Sequence, residues 1–503
     1  MNQNDFDQCL QELSKRQESI LKLFLQGQND SEMAGFITEE TIRRHIFNIC
    51  KKFGLKNKDS CKCSHRDDLI DLFVRYKGAW VANCVRARLG YPKWEDPDSN
   101  RYIERTGSNF YLEQVKKCRD NAQVIKLLEK AVKSDPSNPY AQIYFNNAKA
   151  RLQGIPFKVG VVVAKAGNDF HEFASIQVLR GVADAQSNFN EKGGKDGRLL
   201  EIDIRNDGNQ ALDAEEVARE FANDPSILAV IGHHSSEGTK AALPIYEEAL
   251  MAVISPTSTS SQLRGRTFFR TIGSTKAVAS KYSKYIQEKL KLDKIAVLHH
   301  KNNEYSQTLM RDFEEVFRGQ IIYLNQDISN PDLDIEASIT FIKAKTKAAM
   351  VISSVETNSV AIAIARENHK LQSQKIQLLF TTSLPEIPTI EKGGNAVEGV
   401  ILASPCLGEN SHYVQQAKTR WEQPDINWQI VTSYDATQAL IEAIKLSEWP
   451  TRESILKNLE RLNLSVAQTS GFGLSWSISD YHSNAQRKYC ITQICNRRFE
   501  EIS

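Results

Sequence analysis

The residues of this chain best suited to chemistry stand in two short loops, each behind an apolar run. The first, GHHSSEGT, sets His233 and His234 beside Ser235 and Ser236; the second, SPTSTS, crowds Thr257, Ser258 and Thr259 behind a proline. Histidine next to serine is the raw material of acyl transfer, in which an imidazole takes the hydroxyl proton. Yet there is no G-x-S-x-G elbow, and no acid is singled out to orient the imidazole. No G-x-G-x-x-G or G-x-x-x-x-G-K-[ST] follows a strand either, so dinucleotide and P-loop chemistry have no anchor. The chain therefore reads as a non-enzyme without a cofactor. What remains is binding: hydroxyls and free backbone N–H groups at a helix N-terminus hold a small anion such as a carboxylate. The same residue types also make ordinary surface turns.

Metal chemistry has a weaker basis. Cys61, Cys63 and His65 in CKCSH are close together, but the spacing is not that of a paired-cysteine zinc site and no second pair follows. Cys490 and Cys495 read as strand or core thiols. Nine cysteines, an odd number in 503 residues, do not make a disulfide framework, and a reducing, cytoplasmic location is the expectation. The polar start MNQNDFDQCLQELSKRQ lacks the pattern of a secretory signal, which agrees with that expectation.

The elements that must position the two loops are legible in the patterning. From Pro156 onward, strand-like runs alternate with amphipathic helices: FKVGVVVA, LLEIDIR, ILAVIG, MAVIS, KIAVLHH, AAMVIS, IQLLFT and EGVILAS. Such alternation means βαβ units and a mainly parallel sheet. GHHSSEGT ends a strand at Gly232 and leads into a helix near Thr239, and SPTSTS ends a strand at Ser255. Both loops thus fall at the carboxyl ends of strands, where open α/β sheets bind ligands. The length predicts two or three folded units, and 41% hydrophobic with 25% charged residues is a globular composition. Lys plus Arg number 64 against 62 Asp plus Glu, so any nucleic-acid surface must be local. No apolar run approaches the length of a membrane span.

A local basic surface does occur near the start. In ITEETIRRHIFNICKKFGLKNK, Thr38 is a good N-cap, and Ile42, Ile46, Ile49 and Phe53 recur at helical spacing and must face inward. Arg43, Arg44, Asn48, Lys51 and Lys52 are left on the other faces. An apolar back and a basic front suit a helix that enters a major groove; a solvated helix in a small bundle has the same pattern. The stretch from LSKRQESILKLFLQG through EMA to DDLI resembles the LuxR-type helix-turn-helix. That resemblance implies that Arg43, Arg44, Phe47 and Asn48 face bases, while Thr41, Lys51 and Lys58 touch the DNA backbone. Two departures stand out: the turn between Ala34 and Thr38 is about two residues shorter than usual, and DSCKCSHR is inserted before the last helix. Further on, Ala131, the turn DPSNP and Ala141 resemble a tetratricopeptide unit, whose small residues let two helices pack closely.

Pro156 to about Phe499 resembles the type I periplasmic binding fold, closest to its leucine/isoleucine/valine-binding branch. The likeness runs through LRGVADAQSNFNEKGG, VIGHHSSEGTKAALPIYEEALMAVISPTSTSSQL, FFRTIGS and GGNAVEGVILASP. It implies two α/β lobes with the ligand in the cleft between them. Ser236 falls at the family's loop hydroxyl, Thr257 and Thr259 where an amino-acid carboxylate is held, and Tyr305 at an aromatic position of the second lobe. Ser235 and Ser258 adjoin these. Where the amino-acid binders place an acid for the ligand ammonium, this chain has Thr382 or Ser383; Glu386 or Glu356 are the acids nearby, and neither aligns well.

The expectation is therefore an α/β protein with a two-lobed type I periplasmic-binding-protein fold, preceded by an all-α helix-turn-helix head and a helical tetratricopeptide-like connector. Domains are placed at 1–79, 80–154 and 155–503, with lobe 1 at about 156–274 and 404–466 and lobe 2 at about 275–403 and 467–500. Function is expected to be that of a cytoplasmic, homodimeric, ligand-responsive transcription regulator that binds DNA and an amino acid or related small carboxylate. The alternatives are the substrate-binding protein of a branched-chain amino acid ABC transporter and the sensor subunit of a signalling complex.

Overall fold

The computed structural model describes residues 3–25, 38–53, 55, 69, 72–73, 108–109, 111–116, 118, 121–165, 169–324, 326–384, 387–408, 410–423, 425–477, 479–480 and 482–502. Lys58, Cys61, Cys63, His65, Glu386 and the shortened turn after Ala34 lie outside them. The chain divides into two compact units, Met1–Lys149 and Ala150–Ser503.

The first unit is helical. Helices Lys15–Leu25 and Glu39–Lys52 form within the stretch that resembles a helix-turn-helix, preceded by a helix Gln3–Gln11 that the sequence reading did not place and followed by Asn121–Ser134 and Pro139–Gln153. Helix Glu39–Lys52 starts where Thr38 caps it: the Thr38 side chain accepts from the Thr41 N–H at 3.3 Å, and Lys51 and Lys52 occupy the last turn, where positive charge suits the helix dipole. Ile42, Ile46, Ile49 and Phe53 are buried, as their spacing requires, and Phe6, Phe53 and Phe73 form a ring cluster with centroids 4.8–5.1 Å apart. The same core takes in Leu127, Ala131 and Ala141, so head and connector share one apolar interior. Ala131 and Ala141 are fully buried in that core.

The second unit contains two sheets. The first runs β11-β12-β13-β5-β4-β3-β1-β2, with β1 Phe157–Val163, β2 Leu200–Asn206, β3 Ile227–Ile231, β4 Ala252–Ser255, β5 Phe268–Arg270, β11 Asn463–Leu464, β12 Leu474–Ser477 and β13 Ser483–Asn484. The second runs β15-β14-β10-β9-β8-β6-β7, with β6 Lys294–His299, β7 Gln320–Tyr323, β8 Ala348–Ile352, β9 Gln377–Phe380, β10 Ile401–Pro405, β14 Tyr489–Cys495 and β15 Arg498–Glu501. Strands β1 to β5 pair parallel, as do β6 to β10. The central strands are near-continuous apolar runs because helices cover both faces. All eight predicted strand runs are strands.

Two expectations need correction. Residues 467–484 were assigned to the second lobe, yet β12 and β13 hydrogen-bond into the first sheet, so the chain crosses to the second lobe only between β13 and β14. The last crossing falls late because these short edge strands add to an existing sheet rather than starting a new one. Strand β10, through Pro405, belongs to the second sheet. Cys490, read as a free thiol, is bonded to Cys406 across a Cα separation of 5.2 Å. Antiparallel pairing of β10 with β14 sets Ser404 opposite Cys490 and Pro405 opposite Tyr489, which brings Cys406 beside its partner. Cys495 is free. Among the described residues, no helix is long and apolar enough to cross a membrane.

Candidate functional site

The loop after β3 is built to start a helix. Ser235 caps helix Ser236–Glu248, its side chain accepting from the Gly238 N–H at 3.1 Å. Ser236, in the first turn, is buried, and its Oγ accepts from the Ser260 N–H at 3.1 Å. That bond ties the first loop to the second and leaves the Ser236 hydroxyl proton to be donated elsewhere. The second loop is in turn tied back, because Thr257 Oγ1 donates to the His234 carbonyl at 2.6 Å. Arg270, wholly buried on β5, donates to the carbonyls of Ser260 at 2.8 Å and Leu263 at 3.1 Å. The crowd of hydroxyls thus has a structural use, which is to lock two loops together without burying unpaired backbone groups.

Opposite them, the second lobe presents Asn303 and Tyr305 at the start of helix Glu304–Val316, Ser354 and Glu356 after β8, and Thr382 and Ser383 after β9. Tyr305 Oη and Thr382 Oγ1 are 2.8 Å apart, and the Asn303 side chain caps its helix by accepting from the Ser306 N–H at 3.1 Å. Asn209, His234, Ser235, Ser236, Thr257, Thr259, Asn303, Tyr305, Ser354, Val355, Glu356, Thr382, Ser383 and Trp428 together line one cleft of about 60 Å³.

The structure brings together seven of the eight residues expected at the ligand. Ser258 is the exception: it does not line the cleft, and its hydroxyl is engaged with Thr239 Oγ1 at 2.7 Å and the His233 carbonyl at 3.1 Å. Ser235 lines the cleft, although its side chain already serves as the helix cap. His233 is fully buried; its Nδ1 bonds Asp207 at 2.7 Å and its Nε2 lies 2.9 Å from Tyr246 Oη, so the imidazole meets a phenol rather than a serine hydroxyl. The lining residues not assigned to the ligand from the sequence are Asn209, His234, Asn303, Ser354, Val355 and Trp428. His234 stands in the histidine–serine loop already singled out; nothing in the local sequence marks the others, which arrive from separate loops and helix ends. Glu356, considered only as an unaligned substitute, is in the lining and accepts a hydrogen bond from the Asn209 side-chain amide of the other lobe.

Burial sets the charge state of the cleft histidine: it lowers the His234 pKa from 6.5 to about 4, so the ring is neutral at pH 7. The lobes are also bridged at the cleft edge. Glu304 takes Lys240 Nζ at 2.7 Å and the Ser260 hydroxyl at 3.1 Å. Burial opposes ionisation of Glu304, but the Lys240 ammonium and the hydroxyls outweigh it and hold the carboxyl below its ordinary value.

On the face of helix Glu39–Lys52 away from its core, Arg43, Arg44, Asn48 and Lys51 are exposed, Phe47 is 58% exposed, and Thr41 is half-buried with its hydroxyl 2.9 Å from that of Thr38.

Two α/β lobes with a hydroxyl-lined cleft at the carboxyl ends of their strands define a ligand-binding protein. The chain belongs to the periplasmic binding protein family, whose model matches residues 156–497, and a model described as bacterial regulatory proteins, luxR family, matches residues 11–62. The Leu/Ile/Val-binding protein of Escherichia coli K12 is 25% identical over 303 residues, covering 58% of this chain and 80% of that protein. The leucine-specific-binding protein of Salmonella typhimurium is 33% identical over a shorter 164 residues, 31% of this chain and 42% of that protein. Among solved structures, a leucine binding protein from Thermotoga maritima has a TM-score of 0.60 at 18% identity, covering 69% of this chain and 97% of its own. A branched-chain amino acid transporter substrate binding protein from Streptococcus pneumoniae, in complex with isoleucine, has a TM-score of 0.59 at 17% identity, covering 69% and 99%. At these identities the structural likeness establishes the fold.

Proposed function

We propose that this protein is a cytoplasmic, homodimeric transcription regulator that binds DNA through its N-terminal head and an amino acid or related small carboxylate in its cleft. The observation that carries the reading is the joining, in one chain, of a luxR-family match to a periplasmic-binding-protein unit with a formed cleft. In this reading Ser236, Thr257 and Thr259 hold the ligand carboxylate from the first lobe. Tyr305, Thr382 and Ser383 close on it from the second, with Ser235 supporting the loop as a cap. Ligand binding shifts the population of open and closed lobes by as much as its affinities for the two differ.

At the head, Arg43, Arg44, Phe47 and Asn48 face the bases, and Thr41, Lys51 and Lys58 the phosphates. Dimerisation sets two heads against two half-sites. The test is retention on DNA by the full chain carrying Arg43→Ala with Arg44→Ala. Loss of retention supports the regulator, and unchanged retention across a range of salt sinks it, since phosphate contacts give a steep salt dependence.

A second reading is favoured by one observation. Phe47, at 58% exposure, sits in the middle of the basic face, where an aromatic side chain suits a protein partner as well as a base. In that reading the head docks a signalling protein and the chain is its sensor subunit. A full chain that is not retained on DNA, and that loses a partner protein on Phe47→Ser, would favour it.

A further inference from the structure

A second cavity, of about 410 Å³, lies beside the points where the chain changes lobe, and the Cys406–Cys490 disulfide forms part of its wall. Cys406 is the first residue after β10, where the chain leaves the second sheet, and Cys490 is the second residue of β14, where it returns from β13. The bond therefore fastens two lobe-crossing segments together. Beside it, the Cys406 N–H donates to the Lys488 carbonyl at 2.9 Å and the Arg487 guanidinium donates to the Cys406 carbonyl at 2.9 Å. Cys490 is 7% exposed and Cys406 is half-buried, so a small thiol that enters the cavity meets the bond in the folded chain. Disulfides that solvent thiols can reach are the labile ones.

The cavity also selects by charge. Among the described residues that line it, the charged side chains are Asp425 and Glu501, both exposed, and no Lys, Arg or His is present. Arg487 is spent on Asp435 in a wholly buried pair, and Lys488 is not in the lining. An ion inside the cavity stands within the reach of both carboxyl groups, since screening in about 0.1 M salt sets in over about 10 Å. An attacking thiolate that also carries a carboxylate is repelled there, and one that carries an ammonium is not.

We propose that Cys406–Cys490 is a thiol–disulfide exchange site of the native chain, that it accepts small cationic or neutral thiols in preference to anionic ones, and that reduction frees the two crossing segments. A small thiolate attacks Cys406 Sγ, the S–S bond breaks, and Cys490 leaves as a thiolate that takes up a proton. A second small thiolate attacks the sulfur of the first and displaces Cys406 in the same way. Two small thiols are thus oxidised to one disulfide while the protein disulfide is reduced to two thiols. The inference concerns the second cavity and does not rest on the ligand or DNA readings above.

The test is reduction of the oxidised full chain by cysteamine, mercaptoethanol and mercaptopropionic acid, followed by alkylation and mass spectrometry of the peptides that hold Cys406 and Cys490. Each rate is divided by that of the same thiol on a small neutral disulfide, which removes the reagent's own reactivity. At low salt the cationic reagent is expected to react about tenfold or more faster than the anionic one. Asp425→Asn with Glu501→Gln, both at exposed positions, is expected to erase most of that difference. Low urea, below the unfolding transition, is expected to leave the rates unchanged, and amide hydrogen exchange at residues 406–408 and 487–489 to quicken on reduction. Rates that climb with urea from the start show that the bond opens only in the unfolded chain and overturn the proposal. So does a chain purified under oxidising conditions in which both cysteines alkylate at once. Equal relative rates for the three thiols, or a difference that survives in the double variant, overturn the charge selection. Unchanged amide exchange on reduction overturns the freeing of the crossing segments.

Discussion

Arg270 shows how a residue that touches no ligand governs the cleft. Its guanidinium is fully buried, and although burial lowers its pKa to about 10 it remains charged at neutral pH. Two of its N–H groups are spent on the carbonyls of Ser260 and Leu263, in the loop that carries Thr257 and Thr259. The Ser260 carbonyl also accepts from the Leu263 N–H at 3.2 Å, so Arg270→Met strips the loop of two hydrogen bonds and leaves the Leu263 carbonyl without its donor, at about 1–3 kcal/mol. The expected loss is about 1–3 kcal/mol in urea unfolding, with weaker cleft binding as a consequence. A loss within about 0.5 kcal/mol, the range of neutral surface changes, would show that the loop holds itself. Titration acts at the same scale. The folded-state pKa of His234 is depressed to about 4 from 6.5, so the unfolded chain takes up a proton that the folded chain refuses between those values. Stability is therefore expected to fall as pH drops from about 6.5 toward 4, and His234→Asn should flatten that part of the profile. Glu304, depressed below its ordinary 4.5, contributes stability that is present above that pH and lost as pH falls through the folded value.

At the scale of elements, helix Glu39–Lys52 is the best-specified piece of the chain, because its cap, its apolar stripe and its basic last turn agree. Thr38→Ala removes the side-chain acceptor at its N-terminus and is expected to cost about 1 kcal/mol. Ile49→Ala, at a fully buried position, should cost about 2–5 kcal/mol. Both are read by thermal unfolding of the full chain followed at the helical signal. If Ile49→Ala proves neutral, the inward face has been misassigned. The strands were equally legible where burial on both faces makes them continuous apolar runs, as in β1, β3 and β8. They were illegible where only two to four residues pair at an edge, as in β11, β12 and β13. Such short segments carry no periodicity, and their pairing is fixed by the sheet they join.

At the scale of the second unit, the lobes are linked both at the cleft and at the crossing strands. Lys240 and Ser260 meet Glu304, and Asn209 meets Glu356, across the cleft. Behind it the Cys406–Cys490 bond joins the end of β10 to β14, two strands next to points where the chain changes lobe. With the cysteines 84 positions apart in sequence, replacing both by serine is expected to cost about 2–4 kcal/mol through the freedom restored to the unfolded chain. Unfolding of the oxidised chain and the double variant at the same denaturant concentration would show that the cross-link contributes nothing. A count of accessible thiols in the native full chain tests whether the bond forms.

By itself the sequence determined the class of the chain and the loops that form one wall of its cleft. Local hydrophobic periodicity specified the helices and the central strands, and Gly232 and Ser255 as strand ends placed both hydroxyl loops on the binding side, because carboxyl strand ends in an open α/β sheet share one edge. Ser236, Thr257 and Thr259 were readable as members of those loops, whereas Tyr305 was reached only through the resemblance to the periplasmic binding fold. Tertiary structure alone decided which residues complete the cleft. Asn209, Glu356 and Trp428 come from segments far apart in the chain and meet only when two lobes come together. It also decided that Ser258 is engaged within the first lobe, that residues 474–484 join the first sheet and that Cys406 reaches Cys490. Each of these follows from packing between distant segments, for which neighbouring residues carry no signal.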